Sequence, residues 1–165
     1  MDKYAITELA QSMSKIQGAY NAVTEGNESQ FSLGVDFDGS PGSLLKMAPA
    51  AIIATLFRPF IWEVRKVSQL LSAFESLAVL LFTIFTLWKV GIKFFFRNII
   101  KDPAILYCFL FAVLFALFVG ATTPNFGTLV RYKIPAMPFY VLAIFLIRNN
   151  YDLLIKNKVK PDVVV

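Results

Sequence analysis

VSQLLSAFESLAVLLFTIFTLW, residues 67–88, sits between Lys66 and Lys89 and decides the class of fold. As a helix this run rises about 33 Å, enough to cross a hydrocarbon core of about 30 Å with slight tilt. A second run covers residues 103–121. Asp102 is placed to cap it, and Pro103 falls in its first turn, where a missing N–H costs nothing. A third run, residues 134–147, is short. It crosses only if its helix continues through Asn149, Asn150 and Tyr151, or if Arg131 and Lys133 reach outward to the interface. Residues 47–57 are apolar but contain Pro49, and they cover only about 16 Å. Residues 47–62 are therefore expected to form a re-entrant or interfacial helix, stopped by Pro59 and anchored by Trp62, with a full crossing as the alternative. The expected fold is all-α and polytopic: three full transmembrane helices plus one re-entrant or short helix, with an N-terminal amphipathic helix outside the bilayer.

Composition agrees with a membrane protein. The chain of 165 residues is 57% hydrophobic and only 16% charged, where a soluble domain carries about a quarter. Seventeen phenylalanines exceed what so small a soluble core could hold. The single cysteine, Cys108, rules out an intramolecular disulfide. The absence of histidine removes the usual zinc sites and imidazole acid–base chemistry. Asp36-Phe37-Asp38-Gly39 lacks the later ligands of a calcium loop, so neither metal nor cofactor is expected.

Charge divides the chain. Residues 1–44 hold six acids and two bases, whereas residues 45–165 hold fourteen bases and five acids. The bases flank apolar runs and form no stripe interleaved with base-stacking aromatics. They point to membrane lipids and not to nucleic acid. Within residues 4–24, Ile6, Leu9, Met13, Ile16, Tyr20 and Val23 draw one apolar stripe, which predicts an amphipathic helix packed on its own domain, on the membrane surface or on a partner. The organisation read from these patterns is an extramembrane helix and loop over residues 1–44, a transmembrane region over 45–155 and a basic tail over 156–165. The N-terminus lacks the basic and apolar regions of a signal peptide. Its acidic, polar start fits a loop cut from preceding spans, so the chain is expected to be the C-terminal portion of a longer polytopic protein.

The positive-inside rule orients the spans. Lys89, Lys93, Arg97 and Lys101 link the first two spans, and Arg148, Lys156, Lys158 and Lys160 follow the last. Both groups are expected on the cytoplasmic side, with two helices between them, so the C-terminus is cytoplasmic. Residues 122–133 then fall on the translocated face, together with Arg58, Glu63, Arg65 and Lys66. Five bases gather there: Arg58, Arg65, Lys66, Arg131 and Lys133. Anchoring to headgroups is one reading. The other is a substrate site for an anionic amphiphile, since the arginine fork matches phosphate oxygens. Tyr132 is an interfacial belt residue or a platform for a sugar. Glu63 is the candidate general base, with an ion pair to a neighbouring arginine as the alternative. Glu75, inside the first span, is expected to face protein or stay protonated, with a hydrogen bond to another helix as its role.

Two stretches stand out together. Leu56-Phe57-Arg58-Pro59-Phe60-Ile61-Trp62-Glu63 and the segment from Asn125 to Pro135 resemble segments from the C-terminal part of bacterial O-antigen polymerases and related lipid-linked-sugar glycosyltransferases. The resemblance covers roughly residues 45–150. It implies a polytopic protein of the bacterial inner membrane that acts on a polyprenyl-diphosphate-linked glycan, with Arg58, Glu63 and Arg131 contacting substrate. Such proteins have many more spans, so the missing N-terminal spans or other membrane subunits would complete the cavity. The competing expectation is a non-catalytic subunit or scaffold whose N-terminal helix docks a partner.

Overall fold

The computed structural model describes residues 2–24, 33, 37–64, 67–123 and 125–159. Among the described residues the fold is all-helical: α1 (Asp2–Thr24), α2 (Pro41–Phe57), a 3-10 turn (Ile61–Glu63), α3 (Val67–Val90), α4 (Ile92–Lys101), α5 (Pro103–Thr122), α6 (Phe126–Tyr132) and α7 (Ala136–Val159). Two helical stretches, Gln69–Val90 and Pro103–Thr122, are long and apolar enough to cross a membrane. A third crossing is available if α6 and α7 count as one span, but they meet at a 61° bend.

The burial of α3 shows what solvent this fold suits. Its buried side carries Gln69, Ser76, Thr83 and Thr86, while Leu71, Phe74, Leu81, Ile84, Phe85 and Trp88 lie exposed. In water that arrangement would be inside out. In lipid it is stable, because exposed alkyl groups cost nothing there and buried hydroxyls can bond within or between helices, although the Thr86 hydroxyl has no partner among the described residues. Thr83 donates to Val79 O at 2.8 Å, which leaves its oxygen to accept from the Tyr140 hydroxyl of α7 at 3.2 Å.

α5 is the central post. Asp102 caps it through Ala104 N at 3.0 Å, with Pro103 at its start, and this is the N-terminus expected from the residue pair. Small buried residues at four-residue spacing, Cys108, Ala112, Ala116 and Gly120, form one seam along it. At Gly120 the seam meets α2: a β-carbon there would lie 2.3 Å from Ala51 O. Thr55 Oγ1 donates to Ala116 O at 2.8 Å, so the two helices are joined by a hydrogen bond as well as by close packing.

These contacts set the direction of α2. Ala51 lies beside Gly120 and Thr55 beside Ala116, so α2 runs antiparallel to α5 and enters the bundle beside the C-terminal end of α5. The short α4 joins α3 to α5, so α3 starts at that same end. Both α2 and α3 therefore begin at one end of the bundle, which is the geometry of a re-entrant helix. α2 is 17 residues long, about 25 Å, and stops at Arg58. It starts earlier than the apolar run suggested, because Ser40 caps it through Ser43 N and Pro41 occupies its first turn.

Two expectations need correction. Residues 92–101 were expected to be a basic link, but they form α4, which buries Phe95 and Ile99. Its bases step by four residues, which a helix places on one stripe. In α1 the predicted apolar stripe is not the packing seam. Only Met13 of it is buried, with Ala10 beside it, while Ile6, Leu9, Ile16 and Val23 stay exposed. Of the two alternatives for the third apolar run, the helix takes the first: α7 continues through Asn149, Asn150 and Tyr151 to Val159. There Asp152 pairs with Lys89 at 2.7 Å and Asn150 Nδ2 donates to Asp102 Oδ2 at 3.3 Å.

Candidate functional site

The two breaks in the helical run, after α2 and between α6 and α7, come together inside the bundle. α2 ends at Arg58, whose peptide bond to Pro59 is cis. Arg58 N donates to Ala54 O at 3.1 Å and closes the last turn. Its guanidinium forks onto Glu63, Nε to Oε2 at 3.0 Å and Nη2 to Oε1. Glu63 Oε2 also accepts from Phe60 N at 3.0 Å. The Glu63 carboxylate thus takes three donors, all from its own turn. The ion pair forms, and the guanidinium also lies 5.1 Å from the ring centre of Phe126 at the start of α6.

From the other break comes Lys133. Asn125 starts α6 by accepting from Gly127 N at 2.8 Å, as the turn entering a helix required. Seven residues later the helix stops at Lys133, whose carbonyl accepts from Ala136 N at 2.9 Å and opens α7. Lys133 was expected to face a ligand or lipid headgroups. It is instead 1% exposed. Its ammonium donates to Ser76 Oγ at 2.5 Å and to Arg58 O at 3.4 Å, and the Ser76 hydroxyl in turn donates to Arg58 O at 3.2 Å. The terminal amine of a lysine is too costly to enclose without such acceptors. Ser76 lies about 13 Å of helical rise in from Val67, so this polar knot sits well below the end of the bundle. A lysine within hydrogen-bond distance of a serine can activate it in some hydrolases. Here Ser76 is also fully buried, and the pair works as a brace between α2, α3 and α7.

Three polar residues close in sequence to Lys133 or Ser76 are exposed. Arg131 and Tyr132 are on α6, and Glu75 is on α3. Glu75 does not make the interhelical hydrogen bond expected of it. Its carboxylate is turned outward, within electrostatic range of Lys133. Tyr132 is 47% exposed and accepts from the Tyr20 hydroxyl of α1 at 3.3 Å, an interaction that raises Tyr20 above the usual tyrosine range. Trp62, 80% exposed, stacks on Phe60 with ring centres 4.8 Å apart. Arg65 and Lys66 fall outside the described residues. Among the described residues no cluster of three or more His, Cys, Asp or Glu could hold a metal ion.

Ser76 was missed as a member of this site. Its signal was present, since Gln69, Ser76 and Thr83 recur every seven residues on α3 and so fall on one face of it.

No protein-family model, curated protein or solved structure matches the chain.

Proposed function

We propose that this chain is a membrane-embedded unit that receives the anionic headgroup of a lipid-linked substrate at the flank of the Arg58–Lys133 knot, on the extracytoplasmic side of a bacterial inner membrane. The substrate class in this reading is a polyprenyl-diphosphate sugar of cell-surface polysaccharide synthesis. One observation carries it: the two stretches that resemble lipid-linked-sugar enzymes, 75 residues apart, meet through the bond from Lys133 Nζ to Arg58 O. Ionisable groups held below the end of a helical bundle, where two helices break, are a common place for substrate sites.

The roles divide by exposure. Arg131 and Tyr132 contact the headgroup and its sugar. Lys133 and Ser76 hold the corner from behind. Glu63 holds the Arg58 guanidinium, and the reading assigns it no proton transfer. A ligand whose tail stays in lipid would approach sideways past Arg131. The test is Arg131→Ala in a strain that makes the glycan. Loss of long-chain surface glycan with normal protein in the membrane is expected, and unchanged glycan refutes the reading.

A second reading rests on α1. Ile6, Leu9, Ile16 and Val23 are exposed on one helix, which suits a subunit that docks a membrane partner. In that case Ile6→Ser, Leu9→Ser and Ile16→Ser together abolish co-purification of other membrane subunits, while Arg131→Ala leaves it intact.

A further inference from the structure

The end of α3 opposite the knot carries a groove that the proposed function does not use. Gly91, at φ +81°, stops α3 and turns the chain into α4. A side chain at this position would have room but would be strained by the backbone. The elbow forms an open concavity of about 770 Å³ along Ile84, Leu87, Trp88, Ile92, Lys93 and Phe94. Its walls are apolar save for Lys93 at the rim.

α4 itself bears two exposed stripes. Ile92, Phe96 and Ile100 are 65%, 57% and 75% exposed, and Lys93, Arg97 and Lys101 run beside them. No acid lies on α4. The two nearest acids at this end are engaged: Asp152 pairs with Lys89, and Asp102 caps α5 and accepts from Asn150. Arg97 is held 5.6 Å from the ring centre of Phe94, a wall of the groove, so a second cation stands next to that wall. An open apolar concavity edged by Lys93 and Arg97 fits an amphiphile better than a free anion, which would gain nothing from the apolar walls.

We propose that the α3–α4 elbow binds an anionic phospholipid, its acyl chain against Ile84, Trp88 and Ile92 and its phosphate between Lys93 and Arg97. The site is separate from the knot and independent of what the knot binds. A surface-exposed base near an anionic lipid contributes roughly a fivefold preference.

Trp88 reports on the site. The full chain with Trp62→Phe is reconstituted in phosphatidylcholine vesicles holding a minor fraction of brominated phosphatidylglycerol or, in parallel, brominated phosphatidylcholine. Stronger quenching of Trp88 by the phosphatidylglycerol is expected. Lys93→Gln and Arg97→Gln should each cut that preference roughly fivefold, whereas Lys46→Gln and Arg131→Gln should leave it unchanged. Both bases are exposed, so neither change threatens the fold. Equal quenching by the two lipids overturns the proposal, as does a preference that survives in the Lys93→Gln, Arg97→Gln double variant. Full loss of the preference in millimolar inorganic phosphate at constant ionic strength would show a free-anion site instead and also overturn it.

Discussion

Lys133 Nζ lies 2.5 Å from Ser76 Oγ, although 57 residues separate them in sequence. This bond joins the corner between α6 and α7 to the middle of α3, and its energetics can be measured. Ser76→Ala leaves the Lys133 ammonium only Arg58 O at 3.4 Å, a weak bond for a buried cation. That should cost about 1–3 kcal/mol. Lys133→Met keeps volume and removes the cation, and Ser76 still donates to Arg58 O. It should cost less than Ser76→Ala. The double variant should be more stable than the sum of the two effects predicts, by about 1 kcal/mol. Reversible unfolding in mixed micelles gives all three values. Strict additivity would show that the two side chains do not interact energetically.

Much of this fold was legible in residue pattern, and the omissions are of two kinds. α3 and α5 are long apolar runs with charged or capping residues at their ends, a signal contained within one segment. The start of α2 was equally local. Ser40-Pro41 is a cap and a first-turn proline, but the glycines and serines around it read as loop. α4 was hidden because its bases served as markers of topology, which drew attention from their four-residue spacing. Lys133 is different in kind. A lysine in a short linker is usually solvated, and only the approach of Ser76 and Arg58 from distant segments makes its burial tolerable. No periodicity encodes that meeting. Asp102 and Pro103, by contrast, act on their own neighbours and could be read directly.

Gly120 tests the close crossing of α2 and α5. A β-carbon there would sit 2.3 Å from Ala51 O and 2.7 Å from Thr55 Oγ1. The first obstacle is backbone, so no rotamer change relieves it. Gly120→Ala should force the helices apart, at a cost of about 1–3 kcal/mol, and shortening Ala51 to Gly should not rescue it. Thr55→Val removes the hydroxyl shared between Ala116 O at 2.8 Å and Ala51 O at 2.9 Å and should cost less, about 0.6 kcal/mol. Thermal midpoints in detergent rank the three. A Gly120→Ala protein as stable as the parent would refute the crossing.

Asp38 makes the start of α2 sensitive to acid. Its carboxylate accepts from Ser43 Oγ at 2.6 Å and from Ser40 N at 2.8 Å. The Ser43 hydroxyl, followed by the Ser40 N–H, lowers its pKa to about 2 from the ordinary 3.8. A group whose pKa falls on folding stabilises the folded state above its unfolded value, and that contribution fades as pH drops through the folded one. Local protection at Ser40 and Ser43 should therefore be flat above pH 4 and decline between pH 4 and 2. Asp38 is exposed, so the effect belongs to this turn and not to global stability. Amide exchange measured across that range should show the decline in the parent and none in Asp38→Asn.

The direction of α2 predicts a pattern of chemical access. Antiparallel packing of α2 on α5, with α4 joining α5 to α3, starts both α2 and α3 at the same end of the bundle. Gly42 lies in the first turn of α2, and a β-carbon there meets nothing closer than 3.9 Å. Val67 opens α3 and is 89% exposed. Lys101, at the far end of α4, is exposed beside the start of α5. With Cys108 changed to Ala, single replacements Gly42→Cys and Val67→Cys should both react with a membrane-impermeant maleimide in intact cells. Lys101→Cys should react only after the membrane is opened, because α5 alone rises about 30 Å between the two ends. If α2 were a full crossing, Gly42 and Val67 would be separated by the bilayer and would label from opposite sides. A bilayer-spanning α2 could not place Thr55 beside Ala116 while returning the chain to the same end at Val67, so a split result would overturn the re-entrant arrangement and the depth assigned to the Lys133–Ser76 knot with it.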